Sequence, residues 1–258
     1  MTGINRILAA FEQKETTFMP YVPLGYPTIE ESKEVVRAVV KAGADLVEIG
    51  IPFSDPLADG PTIQAATQKA LENGTTLEIC FKIVKELRAE GIDTPFMMMG
   101  YMNPFLAYGL DDLKTESLEA GVDGFIVPDL PPEESTDFEA MCQANEQAFI
   151  HFLAPTSTDE RIALVADRCQ GFVYLVSLVG ITGARSKVSD GLAEFVARVR
   201  AVIDTPLAVG FGIGDGEQAK MVGEIADGVI VGSALVKKSS ESVEAVEALA
   251  SEIAEALQ

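Results

Sequence analysis

Eight short apolar runs recur along this chain, and no other property of it limits the fold as much. They are Phe18–Leu24, Asp45–Gly50, Pro95–Gly100, Asp123–Val127, Ala148–Ala154, Phe172–Ser177, Pro206–Gly210 and Gly228–Val231. Each is near-continuously apolar, as a strand must be when both of its faces are covered. Between them lie Glu30–Lys41, Thr76–Glu90, Glu133–Gln147, Glu160–Arg168, Leu192–Val202 and Glu217–Glu224, rich in Glu, Lys, Ala and Leu at helical spacing. A last helix is expected over Ser240–Leu257. The steps Gly43-Ala44-Asp45, Gly91-Ile92-Asp93 and Gly121-Val122-Asp123 read as helix stops leading into short loops.

Eight strands, each followed by helix, predict an α/β fold: a closed (β/α)₈ TIM barrel, with a doubly wound open sheet as the alternative. At 258 residues, 48% of them hydrophobic, the chain suits one such domain over 1–258. Residues 1–15 form a short amphipathic helix expected to cover the barrel bottom. That helix lacks the apolar core of a signal peptide, and no apolar run is long enough to span a membrane. The 40 acidic against 19 basic residues give a net charge of −21, which argues against nucleic acid or an anionic membrane as partner. Cys80, Cys142 and Cys169 are odd in number and widely spaced, which suits a reducing cytoplasm better than a disulfide framework or a zinc site.

In a barrel of this kind the active site lies on the loops that leave the C-terminal strand ends. The second such loop, Ile51–Pro61, and the sixth, Leu178–Asp190, are the longest. On the strand before the second loop, Leu46, Glu48 and Gly50 share one face, and the β-branched Val47 and Ile49 the other. If Val47 and Ile49 face the helices, Glu48 points into the barrel, where burial raises its pKa toward that of a general acid or base. The opposing reading pairs Glu48 with an interior cation, but no strand offers an obvious one. Asp59 either faces the same pocket or caps the helix beginning near Thr62. Asp55, between Ser54 and Pro56, reads as a loop brace or a partner contact.

Two glycine segments follow the last two strands: Gly210-Phe211-Gly212-Ile213-Gly214-Asp215-Gly216, and Gly232-Ser233-Ala234. Their backbone N–H groups, with a helix N-terminus, suit a phosphate. The spacing does not fit a dinucleotide-binding G-x-G-x-x-G. Gly183 in the sixth loop adds a third possible donor, and that loop's Gly, Ser and Thr content marks it as a lid. Met97–Met102 reads as core, although Met99 and Tyr101, nearest the strand end, are placed to wall an aromatic pocket with Tyr174 and Phe211. His151, the only histidine, reads as a core or surface residue, and no metal site is expected.

These residues carry a resemblance. LVEIGIPFSDPLADGPTIQAA, PDLPPEES, Gly180-Ile181-Thr182-Gly183, VGFGI and VGSALV are similar to the tryptophan synthase alpha subunit family over essentially the whole chain. The resemblance implies retro-aldol cleavage of indole-3-glycerol phosphate to indole and glyceraldehyde 3-phosphate, with Glu48 and Asp59 as the catalytic acids. It implies phosphate contacts at Gly183, Phe211, Gly212, Gly232 and Ser233, and an indole pocket of Tyr21, Ile63, Met99, Tyr101, Ile126, Tyr174 and Phe211. Thr182 and Arg185 belong to the lid. Pro52, Asp55 and Asn103 are expected to meet a partner β subunit that bears pyridoxal phosphate, in an αββα complex that passes indole through a tunnel. No cofactor is expected in this chain. One departure is plain: Ser177 is followed by Leu178, where many members carry Arg, which leaves Arg185 as the nearest base. The residues alone leave open a stand-alone lyase and a non-catalytic barrel that binds a phosphorylated ligand.

Overall fold

The computed structural model describes residues 2–176, 190–210 and 212–258. Strands form where the apolar runs put them: β1 (Thr17–Pro23), β2 (Val47–Gly50), β3 (Phe96–Met99), β4 (Gly124–Ile126), β5 (Ala148–Ile150), β6 (Phe152–Leu153), β7 (Val173–Val176), β8 (Leu207–Gly210) and β9 (Gly228–Val231). All pair in parallel, in the order β5-β4-β3-β2-β1-β9-β8-β7-β6. β5 and β6 are two halves of one apolar run, parted at His151. The first half pairs with β4 and the second with β7, so the order returns on itself and the barrel closes. His151 does not open the wall, because its carbonyl accepts the Tyr174 N–H at 2.9 Å. The fold is a TIM barrel of eight strands, one of them interrupted, and not an open sheet.

The helices are α1 (Gly3–Glu12), α2 (Ile29–Lys41), α3 (Pro61–Glu72), α4 (Leu77–Ala89), α5 (Met102–Tyr108), α6 (Leu110–Ala120), α7 (Thr136–Ala144), α8 (Asp159–Ala166), α9 (Asp190–Arg200), α10 (Gly216–Gly223), α11 (Ser233–Ser239) and α12 (Val243–Ala256). Side-chain oxygens of Thr28, Thr76, Thr158, Asp215 and Ser242 cap α2, α4, α8, α10 and α12. Each accepts a backbone N–H that the first turn leaves unpaired. Two of the connections that leave the C-terminal strand ends are largely helical. The loop at Tyr101–Pro104 enters α5 at Met102, and Gly232–Lys238 is mostly α11. Pro104 falls in the first turn of α5, where its missing N–H costs nothing.

Strand alternation sorts the core into two layers. Val22, Val47, Ile49, Phe96, Met98, Phe125, Phe149, Leu175, Val209 and Val229 face outward into the layer covered by helices. Met19, Leu46, Met97, Ile126, Ile150, Phe172, Ala208 and Ile230 fill the barrel interior. Ile7 of α1 joins the interior cluster, flanked by Ile4 and Phe11, and lies against the N-terminal strand ends. A side chain at Gly3 would meet the Asp123 carbonyl at 2.6 Å, so α1 reaches that position only with a glycine.

The acid of the Gly-X-Asp step does more than mark a loop. Asp45, just before β2, accepts the Phe18 N–H of β1 at 2.9 Å, and Asp123, just before β4, accepts the Phe96 N–H of β3 at 2.7 Å. Asp227, which precedes β9 without such a glycine step, does the same, accepting the Leu207 N–H of β8 at 2.7 Å. Each aspartate ties the start of one strand to its neighbour and fixes the register at the barrel bottom. Asp123 is fully buried between Arg6 and Arg88, which supply the opposite charge.

Candidate active site

At the C-terminal strand ends a cavity of about 540 Å³ opens, lined by residues of β1, β2, β3, β6, β7, β9 and the loops above them. Glu48 is on its floor. The β1–β2 register sets Glu48 directly opposite Tyr21, and alternation turns both inward. Glu48 is 1% exposed, and its Oε1 has no hydrogen-bond partner. Burial, with the charge of Asp59 second, pushes the Glu48 pKa up to about 8. No interior cation offsets that burial among the described residues, so the carboxyl is held in its neutral form.

Asp59 enters the cavity from the second loop. Tyr101 donates its hydroxyl to Asp59 Oδ2 at 3.0 Å and accepts the Ala58 N–H at 3.0 Å, while Gln64 holds the Asp59 carbonyl at 2.7 Å. Burial raises the Asp59 pKa and the Tyr101 bond opposes that rise. The capping role is not taken: Gly60 is the N-cap of α3, and no side chain caps it. The two carboxyls therefore differ in setting. Glu48 is enclosed with its Oε1 unpartnered, and Asp59 is half-buried and held by a phenol.

The walls are apolar and aromatic. Tyr21, Ile63, Met99 and Tyr174 line the cavity as expected of an aromatic pocket. Tyr101 does not; its ring packs on Phe53 at 5.4 Å and its hydroxyl is spent on the second loop. Ile126 does not either, being fully buried in the interior layer. Phe152 takes up the wall instead, its ring 4.7 Å from that of Tyr174, together with Pro128, Val176, Ile213 and Ile230. The only sequence signal for Phe152 is the phase of the interrupted fifth strand, in which residues 148, 150 and 152 face inward.

Gly212, Gly214, Gly232, Ser233 and Ala234 line the same cavity. Gly212 has φ of +84°, a conformation open to glycine at little cost. The first turn of α11 has no side-chain cap, and its earliest helical bond runs from Val236 N–H to the Gly232 carbonyl. The N–H groups of Ser233, Ala234 and Leu235 therefore have no partner within the helix. Gly183, Thr182, Arg185 and Phe211 lie outside the described residues, as does Leu178, where the sequence departs from the family pattern.

Of the expected partner contacts, Asp55 and Asn103 are exposed and Pro52 is buried. Pro52 follows Ile51, whose N–H still bonds the Met99 carbonyl at 2.8 Å, so this residue belongs to the rim of the barrel and not to its surface. Ser54 donates to Asp55 at 2.6 Å, which braces the loop. His151 faces outward from the barrel, 2% exposed, beside the Phe149 ring and 3.2 Å from Glu139. Burial lowers its pKa. It is a neutral core residue, remote from the cavity.

A family model described as "Tryptophan synthase alpha chain" matches residues 8–258. The chain belongs to that family. Among its relatives, the tryptophan synthase alpha chain of Roseiflexus sp. (strain RS-1) is 49% identical over 221 residues, covering 86% of this chain and 85% of that protein. The alpha chain of Dehalococcoides mccartyi is 47% identical over 234 residues, with 91% of each covered. The solved structure of Mycobacterium tuberculosis tryptophan synthase shares the fold at a TM-score of 0.91 and 38% identity, covering 98% of each chain. The tryptophan synthase alpha chain is a lyase of tryptophan biosynthesis, and an alpha chain implies a β-chain partner. Among the described residues no helix is long and apolar enough to cross a membrane.

Proposed function

We propose that this alpha chain cleaves indole-3-glycerol phosphate with Glu48 as proton shuttle and Asp59 as the group that answers charge at the indole N–H. The observation that carries this reading is the Glu48 carboxyl, enclosed, with Oε1 unpartnered, on the floor of an aromatic-walled cavity, where burial pushes its pKa up to about 8. Neutral Glu48 gives its proton to ring C3, which converts the indole into an indolenine cation. The Asp59 carboxylate accepts the N–H hydrogen bond and offsets that cation, while Tyr101 holds it in place. Glu48, now ionised, takes the proton of the hydroxyl beside the scissile bond. The carbon–carbon electron pair returns to the ring, and indole and glyceraldehyde 3-phosphate separate. Glu48 ends protonated, as it began.

The phosphate sits against the backbone N–H groups at Gly212, Gly232 and Ser233, with Gly183 and Phe211 as further contacts from the family pattern. Tyr21, Ile63, Met99, Phe152 and Tyr174 hold the indole ring, and Thr182 and Arg185 belong to a lid over it. The chain itself uses no cofactor. Its β-chain partner carries pyridoxal phosphate in an αββα assembly in the cytoplasm and receives indole directly, with Asp55 and Asn103 on the contacting face.

The test is indole release from indole-3-glycerol phosphate, with and without the β chain, by wild type, Glu48→Gln and Asp59→Asn. Each substitution is expected to lower kcat by about 10² or more, in line with general acid–base contributions. Wild-type rates in both variants would sink the reading.

A further inference from the structure

Gly50, two residues beyond Glu48 on the same inward face of β2, has no room for a side chain. A Cβ there would lie 2.2 Å from the Tyr21 hydroxyl oxygen and 2.5 Å from the ring carbon that bears it. The missing side chain lets the Tyr21 phenol lean off β1 and deliver its hydroxyl onto β2, on the loop side of Glu48. The ring is nearly buried and packs with Ala66 of α3 and Val236 of α11, so its direction is fixed. Thr67 of α3, also buried, stands beside the hydroxyl. Below it, Glu48 Oε1 is enclosed with no donor. A neutral carboxyl tolerates that position; the carboxylate formed when Glu48 gives up its proton does not, because a buried unpaired charge is costly.

We propose that the Tyr21 hydroxyl is a positioning donor for Glu48, hydrogen-bonding its carboxylate in the interval between proton donation and proton return. The proton of the phenol stays on Tyr21 throughout, and the transferred proton moves only between Glu48, ring C3 and the substrate hydroxyl. Burial, followed by the charges of Asp59 and Glu48, holds the Tyr21 pKa well above its ordinary value, so the phenol remains a donor at any working pH. Tyr174 is arranged alike on the other side of the barrel, its hydroxyl 2.3 Å from where a Gly210 Cβ would be. Its strand, β7, is not a neighbour of β2, yet the charges of Glu48 and then Asp59 act on its buried phenol too, so it is the competing donor across the barrel.

The proposal rests on Glu48 being the shuttle, and its test separates the two. Indole release by the alpha chain with its β chain is followed across pH for wild type, Tyr21→Phe, Tyr174→Phe and Glu48→Gln. Phe keeps the ring and its packing, and thermal melting checks that the fold survives. A hydrogen bond to a charged group is among the stronger ones, so Tyr21→Phe should lower kcat by about tenfold or more, with KM changed by less than about threefold. It should also move the alkaline limb of the kcat profile to higher pH by about one unit, and further than Tyr174→Phe moves it. A Tyr21→Phe profile that overlays wild type, or a loss confined to KM, would show a wall residue and overturn the proposal alone. Full activity in Glu48→Gln would overturn both it and the reading beneath it.

Discussion

Glu48 occupies a position where ionisation is costly, and the cost has a thermodynamic signature separate from activity. Its pKa rises from 4.5 to about 8 on folding, so the native state binds the extra proton between those values. Stability from this group is fully present below about pH 4.5 and is lost as pH rises through 8. Glu48→Gln keeps the shape of the neutral carboxyl and cannot ionise. The variant should match wild type in stability below about pH 4 and exceed it by an increasing margin up to about pH 8, on the order of a few kcal/mol. Denaturant titrations at several pH values measure that margin; equal stability at pH 9 would mean that Glu48 is solvated or paired in the native protein. Strand alternation is enough to turn Glu48 inward, so its burial is legible in the sequence. The place of Asp59 is not, because a loop aspartate before a helix serves equally as a cap until the N-cap is seen to be Gly60.

At the scale of elements, the Gly-X-Asp steps carry information that spacing alone could not separate from ordinary loop chemistry. Asp45 and Asp123 of these steps, and Asp227 after Ile225-Ala226, each bond an N–H at or next to the start of a neighbouring strand, a contact between segments 20 to 27 residues apart. Asp93 ends the same kind of step, but it is exposed and precedes a longer approach to β3. Asp123 is the strongest case, because Arg6 ties α1 to it and Arg88 ties α4 to it. Asp123→Ala leaves a buried N–H and two cations unmatched, and should destabilise the chain by about 3–5 kcal/mol in chemical denaturation. A loss under about 1 kcal/mol would show that the clamp is solvated. The elements that the sequence hid share one cause: α5 and α11 begin at residues that also mark loops. Pro104 sits within the first turn of α5, and Gly232 is the N-cap of α11. The fifth strand hid its break because His151 keeps the alternation while changing its partner strand.

Over the whole molecule, the net charge of −21 opposes the compact state through self-repulsion. The ion pairs do not remove this effect, since pairs such as Lys41–Glu247 and Lys85–Glu119 lie at the surface, where each contributes little. Screening should therefore help: the melting temperature is expected to rise by several degrees between about 0.01 M and 1 M NaCl, as the Debye length falls from about 30 Å to 3 Å. A lower melting temperature in salt would mean that the surface pairs outweigh the repulsion. The alternation of strand and helix was enough to give the barrel, and the barrel placed the loops that matter. It could not supply the substrate, which came from segments whose likeness to a family is chemical only once Glu48, Asp59 and the glycine loops are seen to share one cavity.

The central claim is that one buried, protonated carboxyl carries the proton in both directions. Its most direct test is the rate of indole release by Glu48→Gln at neutral pH, beside wild type at saturating indole-3-glycerol phosphate. A fall of about 10² or more, with the fold intact, is the predicted result; an unchanged rate would contradict it.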